Sequence, residues 1–172
     1  VLSIRKEGNT PAWGAVYEQY FQEIDKVKGQ KGVLSVEKKL FVETNNGTNR
    51  QIRPVTPEQP LRIGDKVIVR LTIRTDREMN YVFLKDLRAG CFEPADQLSS
   101  PESRDGIWYY RSPKDVSENF FINRLPEGTF VLEYPVYVSR SGEYAGGIST
   151  IQCMYAPEFV SHTAGESLRI MP

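Results

Sequence analysis

The chain has 172 residues, 40% of them hydrophobic, with 22 basic and 22 acidic side chains and a formal net charge of zero. That length suits one domain, or one domain with a piece of its neighbour, and the charge balance removes the electrostatic case for nucleic acid or an anionic membrane as partner. No apolar run approaches the roughly 20 residues of a membrane-spanning helix, and eight Phe, nine Tyr and two Trp are enough to fill a core.

The chain opens on Val1 and reads as a segment of a longer protein, so the lack of a leader says nothing about compartment. From Val1 to Lys28 two patterns compete. Thr10-Pro11 suits a helix start, and Trp13, Val16, Tyr17, Tyr20, Phe21 and Ile24 recur at helical spacing. Trp13, Ala15, Tyr17 and Phe21 also fit one face of a strand, and local pattern leaves both open. Gly29 to Gly32 is a polar break.

Beyond it Leu34, Val36, Leu40 and Val42 share a strand face that Lys38 interrupts. Asn45 to Thr48 predicts a turn, in which Asn46-Gly47-Thr48 also matches the glycosylation sequence. Ile52 to Pro60 holds three prolines and predicts an irregular crossing. Gly64-Asp65 then opens a clean strand. Val67, Val69, Leu71 and Ile73 point to the core, while Lys66, Ile68, Arg70, Thr72 and Arg74 form the other face, read as solvated rather than as a binding patch. Tyr81 to Leu87 predicts the next strand, and Ala89 to Arg104, with Pro94 and Pro101, a loop.

Gly106 to Arg111 carries Trp108, Tyr109 and Tyr110, which suit either a ligand or protein platform or core packing. Asn119 to Asn123 is a short strand. Leu125 to Gly128 is a turn, after which Phe130, Leu132, Tyr134, Val136 and Val138 alternate with Val131, Glu133, Pro135 and Tyr137. Ser139 to Gly142 turns the chain, Ile148 to Met154 returns as a strand, and Leu168, Ile170 and Met171 suggest a last short one. About eight or nine short strands with turn signals between them predict an all-β antiparallel sandwich.

Chemistry needs a constellation, and none is visible. His162 is the sole histidine, so a hydrolase would need it to meet an acid and a nucleophile in a cleft. There is no Cys-x-x-Cys, no Gly-rich phosphate loop and no calcium-loop spacing among Asp65, Asp76, Asp86, Glu93 and Asp96, while Gly146-Gly147 reads as a turn or bulge. No catalytic, cofactor-binding or metal-ligating residue is expected. Cys91 and Cys153 permit one disulfide or two buried thiols, and the spacing leaves both open.

The order of several motifs is nonetheless specific. Gly64-Asp65-Lys66-Val67 opens a strand, and an aromatic strand at 81–84 leads to Leu87-Arg88-Ala89-Gly90-Cys91-Phe92-Glu93-Pro94. Trp108-Tyr109-Tyr110 follows, then Asn123 to Phe130 with Glu133-Tyr134, Gly142 to Tyr144, and Met154-Tyr155-Ala156-Pro157-Glu158-Phe159. From Val33 to Ile170 this resembles the C-terminal macroglobulin-like domain of bacterial alpha-2-macroglobulins, in a Bacteroidetes-like form. It departs at Asn123, where Asp is common, and in carrying two cysteines.

The resemblance implies a macroglobulin-like sandwich at residues 31–172, preceded at 1–30 by a strand and linker from the preceding domain. Ala12 to Phe21 is on that ground expected as a strand. It further implies a cell-envelope protein that traps peptidases, a non-enzymatic role for this domain, and neighbouring domains as direct partners. Peptidases would be met through the whole protein. The family's Cys-Gly-Glu-Gln thioester sequence does not occur in this chain. The alternative is a surface module binding carbohydrate or protein through Trp108, Tyr109 and Tyr110.

Overall fold

The computed structural model describes residues 3–46 and 49–172. The turn expected over Asn45 to Thr48, with its glycosylation sequence, reaches into residues 47 and 48, which lie outside the described residues. Among the described residues the regular structure is strand, apart from one 3-10 turn at Ile24–Lys26: β1 (Ser35–Asn46), β2 (Asn49–Pro54), β3 (Leu61–Arg62), β4 (Lys66–Thr75), β5 (Met79–Leu87), β6 (Phe92–Pro94), β7 (Ser100–Arg104), β8 (Ile107–Pro113), β9 (Ser117–Leu125), β10 (Gly128–Val138), β11 (Gly142–Ala145), β12 (Ser149–Cys153), β13 (Val160–His162) and β14 (Ser167–Met171). Several, such as β3, β6 and β13, are too short to register in an alternation pattern, which is why the sequence suggests only about eight or nine.

Two antiparallel sheets face each other. One runs β2-β1-β4-β10-β6 and the other β13-β12-β5-β9-β8-β7. A small third sheet, β11-β14-β3, adds Leu61, Leu168 and Ile170 to the buried core. The alternation of β4 and β10 sets the first sheet's inner face: Val67, Val69, Leu71 and Ile73 pack beside Phe130, Leu132, Tyr134, Val136 and Val138, all buried. Leu132 sits opposite Leu71 in the register, and Leu71 is 0% exposed. Leu71→Ala should therefore cost about 2–5 kcal/mol, through lost burial and the cavity left behind. Urea unfolding with an unchanged m-value checks this, and a variant as stable as the original would mean that this face is not core.

Pro135 sits within β10 without costing the β10–β4 ladder a bond. Its carbonyl accepts from Ala95 N–H (3.4 Å), so its missing N–H faces away from β4. Residues 89–104 are not simply a loop, because β6 and β7 lie within them. Pro101 hides β7 from sequence reading, yet an edge strand tolerates proline where the absent N–H faces outward. The irregular crossing expected from Ile52 begins only after Pro54, since Ile52 to Pro54 pair with Phe41 to Glu43.

The segment expected as a strand at Ala12 to Phe21 has no regular element. Residues 3–23 are exposed throughout, and Trp13, Tyr17 and Phe21 pack against nothing here. Neither the helical nor the strand pattern finds, among the described residues, a surface to bury its apolar side.

Two cations of the β4 row, Lys66 and Arg70, have carboxylate partners on neighbouring strands. Lys66 pairs with Glu43 (3.0 Å) across to β1, and Arg70 with Glu133 (2.6 Å) across to β10. Arg104 reaches the other Glu133 oxygen at 2.7 Å. Partial burial pushes the Glu133 carboxyl up, but the hydrogen bonds and charges of Arg70 and Arg104 outweigh it, so its pKa lies below the ordinary 4.5. A carboxylate with a depressed pKa in the folded state adds stability above its unfolded pKa and loses it as pH falls through the folded value. Acid titration of stability below about pH 4.5 should thus be flatter for Glu133→Gln than for the parent chain. Parallel curves would show that the two arginines give Glu133 no preference for its charged form.

Candidate interaction surface

Strand alternation divides the aromatic triplet of β8. Tyr109 faces inward with Ile107 and Arg111, whereas Trp108 and Tyr110 face out, Trp108 at 71% exposure. Register extends this outer face into a row. Pro101 pairs with Tyr110, Tyr110 with Phe121, Phe121 with Phe83, and Phe83 with Gln152, from β7 through β8, β9 and β5 to β12. Phe83 and Phe121 stack with ring centroids 4.9 Å apart. Trp108, Tyr110 and Phe121 flank a shallow groove of about 380 Å³ that also meets Asn123, Arg124 and Pro126.

The row continues to a corner built by the β12–β13 loop. Tyr81 and Tyr155 meet edge to face at 5.1 Å, and Met154 and Tyr155 project at 56% and 81% exposure. The loop is fixed rather than loose. Met154 N–H donates to the Tyr81 carbonyl (2.9 Å), Cys153 N–H to Phe159 (3.0 Å) and Phe159 N–H to Ala156 (3.0 Å). Tyr81 adopts φ 56°, a left-handed conformation costly for a side chain of its size. A contiguous exposed apolar strip on rigid strands is the usual mark of an interaction surface.

Behind it, polar groups stand inside the sandwich. Lys38 of β1 points inward, and its ammonium donates to Asp86 Oδ1 (2.8 Å), the Leu87 carbonyl (3.0 Å) and the Gly146 carbonyl (3.2 Å). Asp86 of β5 also accepts from Ser149 Oγ of β12 (2.7 Å) and from the Tyr134 hydroxyl of β10. Burial, then the Asp86 charge, holds the Tyr134 phenol well above its ordinary pKa, so it remains a donor. Toward the β8 side, Glu118 accepts from Arg111 Nε (2.7 Å) and Arg88 Nη2 (3.1 Å), and Arg111 lies 5.7 Å over the Tyr134 ring. Tyr109 joins this cluster by donating to Glu102 (3.0 Å). Burial and the Glu102 charge push its hydroxyl up to about 12.

In the sequence Asp86 stands as one scattered acid among several, and Glu118, Arg88 and Arg111 attract no notice. The readable signal is phase: Val82 and Leu84 place Asp86 on the core side of β5, just as Val36 and Leu40 place Lys38 on the core side of β1. Cys91 and Cys153 are both buried and free, with no bridge between them. Burial pushes the Cys91 thiol to about 11, and Cys153 donates weakly to the Asn80 carbonyl (3.3 Å). His162 is half-buried, its Nδ1 3.1 Å from the Thr163 carbonyl, and its backbone bridges to Gln30.

Two facing antiparallel sheets, with one 3-10 turn at Ile24–Lys26 outside them, make this an all-β sandwich. The family described as the bacterial alpha-2-macroglobulin MG10 domain matches residues 34–158, and the chain belongs to it. Salmonella alpha-2-macroglobulin reacted with methylamine shares the fold with TM-score 0.64 and 21% identity, over 84% of this chain and 10% of that one. Escherichia coli alpha-2-macroglobulin activated by porcine elastase aligns with TM-score 0.65 and 18% identity, over 84% of this chain and 14% of that one. The chain is also 28% identical over 109 residues to circularly permutated Ras protein 2 of Dictyostelium discoideum, an alignment covering 63% of this chain and 3% of that one. The chain thus spans a small part of the proteins it resembles.

Proposed function

We propose that this domain is a non-catalytic structural and interaction module of a large peptidase-trapping protein of the bacterial cell envelope, placed at its C-terminal end in a Bacteroidetes-type chain. Its direct partners are neighbouring domains of the same protein, and peptidases are met only through the whole molecule. Holding the thioester-bearing region of such a protein closed is the task that suits it. The observation that carries this reading is the exposed strip from Trp108 to Tyr155 on a sheet whose inner face is locked by buried charge. Such a strip offers a stiff apolar surface for another domain to cover. The unpartnered aromatic segment at 13–21 fits the same picture as a strand that pairs with the preceding domain.

The test uses the full-length protein. Tyr155→Ala and Trp108→Ala, each made singly, should leave the stability of this domain within about 0.5 kcal/mol. Both should raise the susceptibility of the junction with the adjacent domain to limited proteolysis. An unaltered cleavage pattern in both variants would defeat the reading. The exposed indole of Trp108 supports a second one, a platform for carbohydrate or a foreign protein. Loss of binding on a glycan array by Trp108→Ala, with domain contacts intact, would favour it.

A further inference from the structure

On its β2 side the first sheet has an edge that its own chain leaves partly open. β2 pairs with β1 only from Phe41 to Asn46, whereas β4 pairs with β1 from Ser35 to Glu43. The Leu40 carbonyl accepts from Val55 N–H (2.9 Å), which shows the direction of the outer edge. One and two steps back along the alternation, Lys38 and Val36 present their N–H and C=O groups the same way. Among the described residues no backbone group pairs with them there. Two hollows of about 440 and 780 Å³ run along this edge and share Lys38, Lys39, Leu40, Glu166 and Leu168. Partly buried Leu40 and Val55 form an apolar floor. Lys39 and Arg169 stand at the rim without an ion-pair partner among the described residues, against the single acid Glu166; Lys31 and Glu37 neutralise each other (3.1 Å).

We propose that this edge receives an extended peptide segment of another polypeptide, which adds as a strand beside Val36–Leu40 in line with β2. Its alternate side chains are apolar toward Leu40 and Val55 and acidic toward Lys39 and Arg169. The backbone supplies affinity, because each open N–H and C=O gains a partner. The two cations select charge. The proposal does not depend on the aromatic strip or on the role assigned to it.

The probe is an end-capped heptapeptide of alternating glutamate and valine, added to the 172-residue chain, with amide hydrogen exchange read residue by residue. At peptide about ten times above its Kd, exchange at Val36 and Lys38 should slow roughly tenfold. Glu37 and Lys39, already bonded to β4, should change far less. The matching lysine–valine peptide, and a glutamate–valine peptide N-methylated at alternate residues, should bind at least about tenfold more weakly. So should the acidic peptide to the Lys39→Glu, Arg169→Glu variant. Absence of binding, protection confined to the Trp108 face, equal affinity for the methylated peptide, or closure of this edge by a second copy of the chain would each overturn the proposal.

Discussion

Asp86→Ala should destabilise the domain by about 3–5 kcal/mol, the range for breaking one side of a buried ion pair. Asp86 is 0% exposed and accepts from Lys38, Ser149 and Tyr134. Removing it strands an ammonium with only the Leu87 and Gly146 carbonyls for company. Two hydroxyls lose their acceptor at the same time, and each unsatisfied buried donor adds about 1–3 kcal/mol before relaxation. Chemical denaturation measures the loss directly. A companion variant, Lys38→Met with Asp86→Leu, should recover much of it, because an apolar pair asks for no counter-charge. If the double variant is as unstable as Asp86→Ala, the deficit comes from packing and not from stranded charge.

Glu118→Ala should cost a comparable amount, about 3–5 kcal/mol, for a different reason. Glu118 holds two guanidiniums at once, and each of these has a nitrogen without a partner, Arg88 Nε and Arg111 Nη2. Its loss leaves Arg111 leaning on Asp96 and Glu102 at 3.5 and 3.6 Å, and Arg88 on the carbonyls of Asp115 and Ser117. Since a domain of this size has only about 5–15 kcal/mol in total, the variant should lose a large share of its stability, and its melting midpoint should fall by roughly 6–20 °C. Thermal unfolding followed by near-ultraviolet circular dichroism reports it. Glu118→Gln, which keeps an acceptor without the charge, should fall between the two. A fully folded alanine variant with unchanged midpoint would mean that water replaces the carboxylate without penalty.

Much of this architecture is legible in the residues because strands of the core alternate. Val67 to Ile73 and Phe130 to Val138 show their inner faces plainly, and the structure buries those faces. What escapes is whatever alternation cannot encode. β7 is masked by Pro101, whose cost vanishes only once the strand is known to lie at an edge. The outer aromatic row is invisible one strand at a time, since Tyr110, Phe121 and Phe83 become neighbours only through register. The inner ion pairs are legible as a breach of pattern, a lysine or an aspartate where a valine is due. Their partners lie 48 and 63 positions away for Lys38–Asp86 and Asp86–Ser149, so no local window connects them.

Those inward charges bear on how the two layers line up. Oily faces alone would tolerate a slip of one sheet over the other by a strand repeat, trading one leucine contact for the next. With Lys38 and Tyr134 carried by one layer and Asp86 and Ser149 by the other, any slip parts cation from anion in a dry interior. The sandwich therefore favours one seating of its two layers over any slipped one.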